Sequence, residues 1–558
     1  MAGGLDRDLS GLQRLPGGGK LGERLGELLP QLLLVLLALP LVVWGLGSYS
    51  VVNGDEAIYH GIAESMARSG NAFVLELRGQ PRLYDTWMNA PIQYWARSLL
   101  ISLFGSSAWT MRILSALFAI AAVLATQRLG SYVADRRSGF FAGLALLTTL
   151  HFVYLHGART GELEPALLFF FAVAALLFMI GVERGGGWWA HHLCLFALFS
   201  LKLPIVIIPL AAELAFFALC PRAREHFGAW VKTGCVLLPF GLAWHLGQTL
   251  LRWDEFTAVI ADMRANASGS SQQGPGASFY GLAGYYARTV LFGAFPYSLA
   301  YPVALLAVLW RSERGLAPER DRWRICALYL LAIVGFFLCV SQHYRWYIMP
   351  AYPFLSVFLG AWLSRLFDER PRALTLGAVA LVASLAFWLR AGGAEYNPFA
   401  KAAVGISMWT PWRSLAALPD LDPRLGVVLL ALALAGLLFG LRALGSERFP
   451  SIIGAIVAAL LLGFGTLRVV QPLAYLGYES ELSKIRRDLA ERREAGRPIA
   501  HPFDLPKANH FIVLYYFAED FDISMQRNPS ASPLDVTYRL HAKGTRPGRA
   551  PQRRAGGL

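Results

Sequence analysis

EPALLFFFAVAALLFMIGV, residues 164–182, begins with a glutamate and continues without any further charged residue. A helix needs about 20 mainly apolar residues to cross roughly 30 Å of hydrocarbon. The stretch therefore predicts a membrane-spanning helix with an acid at its start. The whole chain supports this interpretation, since 55% of its 558 residues are hydrophobic and 16% are charged, whereas soluble domains carry about 25% charged residues.

Apolar runs of similar length recur along the chain and predict an all-α polytopic membrane protein of about 13 helices. The fifth and sixth of these runs are short and follow each other almost directly at Pro204. The predicted spans are residues 28–49, 110–133, 138–157, 164–182, 188–201, 203–220, 230–250, 285–309, 324–340, 346–366, 373–391, 425–443 and 450–470.

The net charge of +14 follows the predicted topology. Arginines and lysines precede the first span and follow the second, sixth, eighth, tenth and twelfth spans, which all end on the same side in a 13-span arrangement. Basic loops mark the cytoplasmic side of a membrane. This distribution predicts a cytoplasmic N-terminus and a C-terminus on the outer side of the membrane, and it explains the charge without nucleic acid.

The predicted spans divide the chain into four parts. Residues 1–27 form a cytoplasmic segment, and residues 28–470 form the membrane core. Within the core, the outer segment 50–109 carries two interfacial helices, 56–69 and 91–104, around a strand-like piece at 72–84, with four aromatic residues at the headgroup level. The outer segment 251–284 reads as a mobile loop because of its Gly/Ser/Gln stretch. Residues 471–542 predict a small periplasmic α/β domain that includes the strand HFIVLYYF, and residues 543–558 predict a disordered basic tail.

Two acids, Asp55 and Glu56, follow the first predicted span directly. Acids in the first turn of an interfacial helix are favoured by the helix dipole, and that structural interpretation alone would explain them. A carboxylate at a cavity facing the membrane can also serve as a general base. The sequence leaves both interpretations open.

Further charged residues fall on the same predicted face of the membrane. Glu162 and Glu164 begin the fourth span, where burial in lipid would cost ~2.5–3.5 kcal/mol for each acid, so we expect them at the mouth of a cavity. Arg159 is a candidate partner for one of them. Lys202 in SLKLP either reaches the lipid headgroups or holds a phosphate, and Arg264 in the outer loop is a second candidate phosphate ligand.

His343, Arg345 and Tyr347 come from the outer entrance of the tenth span, where they either line the same mouth or form an interfacial anchor. His191 and His192 are predicted to be interfacial at the cytoplasmic side. Glu213, inside the sixth span, is either a paired structural acid or part of a proton path. The sequence shows no P-loop, GxSxG, HExxH or paired-cysteine zinc motif.

The chain resembles the family C membrane glycosyltransferases, the group that includes the protein O-mannosyltransferases and the bacterial lipid A aminoarabinose transferases. The resemblance extends over residues 28–470. It is carried by the Asp55-Glu56 pair, by APIQYW at 90–95, RTGELEPALLFFF at 159–171, LKLP at 201–204, FGAFPYSL at 292–299 and YIMPAYP at 347–353.

The resemblance implies an enzyme of the bacterial inner membrane, with its C-terminus in the periplasm. It would transfer a hexose or pentose, with inversion, from undecaprenyl phosphate to lipid A or another envelope glycan or protein on the periplasmic face. Asp55, with Glu56, would be the catalytic base, and no metal or cofactor is implied, since cations can hold the leaving phosphate. The Lys-Pro element of the aminoarabinose branch is replaced by Asn89-Ala90, so Arg82, Arg97, Lys202 or Arg264 is expected to replace that lysine. The predicted substrate-binding residues are Lys202, Arg264, Tyr59, Arg82, Tyr94, Glu164, Glu162, Arg159, His343, Arg345 and Tyr347.

Two other functions fit parts of the pattern. A lipid or solute transporter, or flippase, of about 13 spans could bind its substrate through the outer charges before translocation. The scarcity of polar residues at the membrane midplane argues against it. An envelope-binding protein could instead use its tail domain and keep the membrane part as an anchor. The partners predicted by the main hypothesis are membrane lipids, the lipid-linked donor and the acceptor, for a monomer that binds no nucleic acid.

Overall fold

The computed structural model describes the larger part of the predicted membrane core and three short pieces of the tail. The described residues are 20–43, 46–47, 51, 54–77, 80–81, 83–89, 91–154, 156–268, 279–294, 297–313, 315–340, 343–366, 486–492, 494–495, 523–527 and 536–540. The predicted spans 373–391, 425–443 and 450–470, the strand HFIVLYYF and the basic tail lie outside these residues.

The described part of the core is a bundle of 16 α-helices. Their bounds are α1 Lys20–Ala38, α2 Gly54–Ser69, α3 Leu83–Met88, α4 Ile92–Phe104, α5 Ala108–Val133, α6 Arg136–Leu147, α7 Leu150–Tyr154, α8 Glu164–Arg184, α9 Trp188–Phe199, α10 Ile207–Leu219, α11 Phe227–Leu251, α12 Trp253–Ser268, α13 Phe279–Gly293, α14 Ala300–Ser312, α15 Ala317–Cys339 and α16 Tyr352–Leu366.

Two antiparallel strand pairs accompany the helices. β1 (Glu76–Leu77) pairs with β2 (Gln80–Pro81), at the place where the sequence predicts a strand-like piece. β3 (Ile523–Arg527) pairs with β4 (Val536–Leu540) in the tail. A helical turn at 486–492 precedes them. These tail elements include both helix and strand, and the rest of the predicted tail domain lies outside the described residues.

Five described segments are long and apolar enough to cross a membrane, namely Ala108–Val133, Glu164–Arg184, Pro221–Leu251, Pro318–Cys339 and Arg345–Arg365. Four shorter apolar helical segments lie beside them, at Leu28–Val43, Trp188–Phe199, Leu203–Leu219 and Ala300–Ser312. The chain is thus a mostly helical, multi-pass membrane protein. The segment predicted as a mobile loop includes helix α12, and residues 269–278 of that loop lie outside the described part.

Two predicted spans are interrupted. The predicted span 285–309 is divided between α13, which ends at Gly293, and α14, which begins at Ala300. The predicted span 138–157 stops at Leu147. There the hydroxyls of Thr148 and Thr149 donate to the carbonyls of Leu144 and Ala145, each at 2.7 Å. Their competition with regular helix bonding helps to end α6.

Glycines allow α5, α6 and α16 to pack closely. A Cβ added at Gly139 of α6 would lie 2.4 Å from the carbonyl oxygen of Gln127 on α5. A Cβ added at Gly360 of α16 would lie 2.3 Å from the carbonyl oxygen of Ser138. Close approach through small residues is a common way to pack membrane helices. These close contacts lie near the beginning of α6 and in the second halves of α5 and α16.

Candidate active site

Helix α2 begins with the acid pair. Asp55 is half-buried and Glu56 is 1% exposed, because consecutive residues of a helix point about 100° apart. Glu56 accepts hydrogen bonds from Nε and Nη2 of Arg112, both at 3.1 Å, and from the backbone N–H of Gly161 at 2.9 Å. Both oxygens of Glu56 are engaged. Its geometry argues against the predicted catalytic role and indicates that it joins α2, α5 and the segment before α8.

Asp55 faces a second group of polar atoms. One ligand atom each from Asp55, His156 and Glu162 lie within 4.8 Å of one another. His156 Nδ1 is 3.5 Å from Glu162 Oε2, and both side chains are buried. Two carboxylates and an imidazole at this spacing are donors that a divalent ion accepts, so this is the set of described residues best placed to hold a metal ion.

Burial shifts the proton affinities of this pair, which lies between the helices α7 and α8. Burial raises the pKa of Glu162 to about 7, although the adjacent His156 opposes that shift. Burial disfavours the charged form of His156, but Glu162, followed by Glu164 and Asp55, outweighs burial and raises the pKa of His156 to about 9. Glu162 therefore binds a proton more readily than an exposed glutamate, and His156 more readily than an exposed histidine.

Two buried side chains bind the backbone carbonyl oxygen of Glu162. Arg97 on α4 donates through Nη2 to the carbonyl oxygen of Glu162 at 3.3 Å, and Ser115 on α5 donates to the same oxygen at 2.5 Å. Arg97 also donates through Nη1 to the carbonyl oxygen of Met111 at 2.6 Å. Arg97 is 1% exposed. Its guanidinium is used inside the fold, so the expectation that Arg97 replaces the missing phosphate lysine is wrong.

Lys202 lies on the other side of the acids, directly before the 3₁₀ turn Leu203–Val206 that leads into α10. Its Nζ lies 4.9 Å from the centre of the Tyr347 ring. Lys202 is also within electrostatic reach of Glu164, which is buried at the start of α8. Burial and then Asp55 raise the pKa of Tyr344, and Lys202 opposes them. Tyr344 therefore lies near both the acid and the lysine.

The two predicted tyrosines from the first outer segment also lie beside the acids. Tyr59 is buried and packs edge-on against Tyr94, with ring centres 6.1 Å apart. Burial raises the pKa of Tyr59 well above its usual value, with Asp55 the next contribution. The hydroxyl of Tyr94 donates to Asp85 Oδ1 at 3.1 Å. Asn89, at the position of the missing lysine, donates to the same oxygen at 3.0 Å.

Other predicted residues lie elsewhere. Arg159, the candidate partner of the acids, donates through Nη1 to the carbonyl oxygens of Leu41 and Val42, at 3.1 and 3.2 Å, beyond the end of α1. His343 packs against the ring of Tyr286. Arg345 begins the 3₁₀ segment Arg345–Ala351. Arg82 and the side chain of Arg264 lie outside the described residues.

Two further expectations need correction, and the structure also shows how Glu213 is bound. His191 and His192 are fully buried and not interfacial. Glu213 is a paired acid, because His191 Nε2 and Trp230 Nε1 each lie 3.0 Å from its Oε2 and the Tyr329 hydroxyl donates to its Oε1. Two aromatic residues predicted at the headgroup level, Trp87 and Tyr94, are buried, whereas Trp95 and Trp109 are about 40% exposed.

Sequence reasoning missed the role of Arg112 and missed His156 and Trp346. Arg112 is a charged residue inside the predicted second span, and such residues are costly in lipid and usually paired. That signal would have identified it. No comparable pattern marks His156 or Trp346, since a lone histidine or tryptophan near a membrane interface is common.

Comparison with known proteins gives a consistent picture. Residues 88–244 match the family model described as dolichyl-phosphate-mannose-protein mannosyltransferase. A protein of Aquifex aeolicus (strain VF5), described as "Uncharacterized protein", is 25% identical over 340 residues. That alignment covers 60% of this chain and 64% of the relative.

Crystal structures of ArnT from Cupriavidus metallidurans share the fold. The apo structure superposes with a TM-score of 0.60 at 19% identity, covering 87% of this chain and 83% of that one. The structure bound to undecaprenyl phosphate superposes with a TM-score of 0.62 at 18% identity, covering 88% of this chain and 84% of that one. The resemblance predicted from the sequence is confirmed: this chain has the fold of ArnT and is similar to the family C membrane glycosyltransferases.

Proposed function

We propose that this chain is a membrane glycosyltransferase that moves a sugar from a polyprenyl-phosphate donor to an acceptor of the cell envelope, such as lipid A, a glycan or a protein. One observation carries the proposal: half-buried Asp55 stands beside Glu162 and His156, at the end of the bundle where Lys202 lies over Tyr347. A carboxylate and a cation are thus available on one face of the fold.

The proposed reaction is a single displacement with inversion at the anomeric carbon. The acceptor hydroxyl oxygen forms a bond to that carbon, and its proton passes to the Asp55 carboxylate. The bond between the carbon and the phosphate oxygen breaks, and polyprenyl phosphate leaves with the bonding electron pair. Negative charge grows on the leaving phosphate, so Lys202 stabilises the transition state more than the ground state. In this mechanism the lysine supplies the positive charge, and we expect no metal or cofactor to be required.

The nature of the donor is supported by the chain and by its structural relative. A donor with a long apolar tail has to be bound from within the bilayer, and the bundle presents five helical segments able to cross it. ArnT, which shares the fold, has been crystallised with undecaprenyl phosphate. The basic loops predict that the acid-bearing end of the bundle faces the periplasm, where finished envelope acceptors are present.

The test uses the full-length protein purified from membranes and supplied with lipid-linked sugars and acceptors extracted from the native envelope. Mass spectrometry follows every lipid product. We expect the wild type to release polyprenyl phosphate. We expect the transfer rate of the Asp55→Ala variant to be lower by at least ~100-fold, the lower end of the contribution of a general base. Glu64→Ala is the matched control, because Glu64 lies on the same helix in an exposed pair with Arg68.

Full transfer by Asp55→Ala would contradict the assigned base. If the wild type consumes no lipid-linked donor under these conditions, the glycosyltransferase proposal fails, and transport of a lipid or solute becomes the function to assay. If donor is consumed without any mass gained by an acceptor, the enzyme hydrolyses the donor, which contradicts transfer but retains the donor class.

A further inference from the structure

The backbone at His156 has an unusual conformation that the fold maintains. Its φ is 51°, and it is the one non-glycine residue with positive φ among the described residues. This conformation is uncommon for side chains other than Asn, Asp or His. The next residues are tightly held: the N–H of Ala158 donates to the Phe152 carbonyl at 2.7 Å, and a Cβ at Gly157 would lie 1.9 Å from that same oxygen. Such conformations concentrate at functional sites.

The imidazole ring of His156 is oriented by stacking. It lies parallel to the Trp346 ring, with centres 3.6 Å apart and an angle of 11°. Tyr344 also stacks on Trp346, at 4.7 Å and 15°. Trp346 belongs to the 3₁₀ segment before α16, so the ring position links two distant parts of the chain. Ring stacking restricts rotation of the imidazole and fixes the direction of its nitrogens.

The fixed ring presents Nδ1 to the acids. Nδ1 lies 3.5 Å from Glu162 Oε2, and the two groups lie within 4.8 Å of a carboxylate oxygen of Asp55. Two carboxylates this close repel each other strongly where water is excluded. An imidazole in ion-pair distance of one of them reduces that repulsion and allows the other to keep its position. The backbone of Glu162 is already held by Arg97 and Ser115, so its carboxylate is the adjustable part.

We propose that His156 is a positioning residue for sugar transfer: its Nδ1, aimed by the stack on Trp346, holds the Glu162 carboxylate and thereby keeps Asp55 in place to accept the acceptor's proton. This inference rests on the proposed function and adds to it a residue that contacts neither sugar nor phosphate. It also assigns a role to the aromatic pair Trp346 and Tyr344, which do not belong to the transfer step itself.

Three variants separate the parts of this arrangement. His156→Asn keeps a donor close to the place of Nδ1, and asparagine tolerates the positive φ. His156→Phe keeps the stack and removes the donor. Trp346→Leu keeps the imidazole and removes the stack. His226→Asn is the matched control. His226 lies half-buried beside Glu225, in the turn that connects α10 to α11.

Steady-state transfer from polyprenyl-phosphate sugar is measured for each protein, together with its melting temperature. We expect His156→Phe to lower kcat by ~100-fold with little change in the donor KM, the scale of a misplaced catalytic group. We expect His156→Asn to recover most of that loss, Trp346→Leu to fall between them, and His226→Asn to match the wild type. If His156 had only a structural role, His156→Phe would lower the melting temperature without a selective loss of kcat. His156→Asn would then not restore kcat.

Several results would overturn the inference. Wild-type kcat in His156→Phe would do so, as would an asparagine variant that folds normally but is as slow as the phenylalanine variant. A stoichiometric divalent metal in the active wild type, lost together with activity in His156→Asn, would make His156 a metal ligand instead. If Asp55→Ala loses transfer while His156→Phe keeps it, only this inference fails. If wild type and Asp55→Ala are equally inactive, the proposed function fails and this inference with it.

Discussion

Glu56 on α2 and Arg112 on α5 form a buried ion pair with two contacts of 3.1 Å, and Arg112 also donates to the carbonyl oxygen of Leu46 at 2.8 Å. Neither side chain is more than 1% exposed. Because Glu56 also accepts the N–H of Gly161, the pair connects the residue next to Asp55 with the residue next to Glu162. The spacing of the two acids near the reaction centre therefore depends on a pair that takes no part in the chemistry.

Arg112→Leu should destabilise the protein severely. The change leaves Glu56 buried without its cation, and breaking such a pair typically costs ~3–5 kcal/mol. The melting temperature of the purified protein is the measurement. Arg68→Ala is the control, because its pair with Glu64 is exposed and such pairs contribute about 0–1 kcal/mol. Equal melting temperatures for Arg112→Leu and the control would show that the buried pair does not hold α2 to α5.

Lys202→Met should weaken use of the lipid-linked donor. The methionine side chain is unbranched and nearly as long, but it lacks the positive charge that we propose stabilises the leaving phosphate. We expect kcat/KM to fall by on the order of 100-fold. Lys202→Arg should retain more activity than the methionine variant. The comparison is made with Lys232→Met, since Lys232 is exposed on α11. Unchanged kinetics in Lys202→Met would remove this residue from the donor site.

Transfer should persist after exhaustive treatment with a chelator. The mechanism draws its positive charge from Lys202, although Asp55, His156 and Glu162 have the spacing of a metal-ligand set. Activity is measured in the chelator and after return of Mg²⁺, Mn²⁺ or Zn²⁺, alongside the metal content of the protein. Loss of transfer on chelation with recovery by one ion would contradict the metal-free mechanism.

The stability of the protein should fall as the pH is lowered below about 6.5, and His60 should contribute to that loss. Burial, with Arg97 next, lowers the pKa of His60 to about 3. The unfolded chain, with a pKa near 6.5, therefore binds a proton between pH 6.5 and 3 that the folded protein does not. The free energy of unfolding then falls by up to ~1.4 kcal/mol per pH unit over that window.

His60→Gln tests this contribution, because the amide can keep the contact that His60 Nε2 makes with Ser106 Oγ at 2.9 Å. Melting temperatures at pH 7.5 and 5.0 should differ less in this variant than in the wild type. His226→Gln should show the wild-type difference. An unchanged pH dependence in His60→Gln would mean that His60 is protonated in the folded state or is not buried there.

Glu213→Ala should lower stability and leave the chemistry intact. The change removes the acceptor shared by His191, Trp230 and Tyr329, and a buried donor left without a partner costs ~1–3 kcal/mol. We expect a lower melting temperature with kcat per folded molecule close to wild type. Glu313→Ala, from an exposed pair with Arg324, is the control. If a Glu213→Gln variant that folds normally loses all activity in cells, the acid is needed for more than stability. That result would favour the transporter alternative.

Much of the helical architecture could be predicted because membrane burial imposes a simple pattern. The apolar run at 164–182 corresponds to α8, and the run at 110–133 corresponds to α5. Prediction was poorer where polar side chains interrupt a helix. Thr148 and Thr149 end α6 through bonds to its own carbonyls and through contacts with the hydroxyls of Tyr297 and Tyr301. Those tyrosines are about 150 residues away, and no local pattern identifies them.

The candidate site shows the same division. The sequence placed the acids Asp55, Glu162 and Glu164 and the cation Lys202 on one face, because basic loops and span lengths determine which loops meet. It did not identify His156, whose contacts come from Trp346 on one side and Glu162 on the other. It also did not identify the carbonyls of Leu41 and Val42, beyond the end of α1, to which the Arg159 guanidinium donates.

The sequence by itself determined that this chain resides in lipid, that its charged outer segments share one face, and that two adjacent acids begin a helix there. Apolar length and charge placement suffice for those conclusions, since each is a property of local segments in a layered solvent. Only the tertiary structure decided which of the two acids faces His156 and Glu162. Asp55 and Glu56 are chemically alike neighbours, and a turn of about 100° per residue sends one toward Arg112 and the other toward His156.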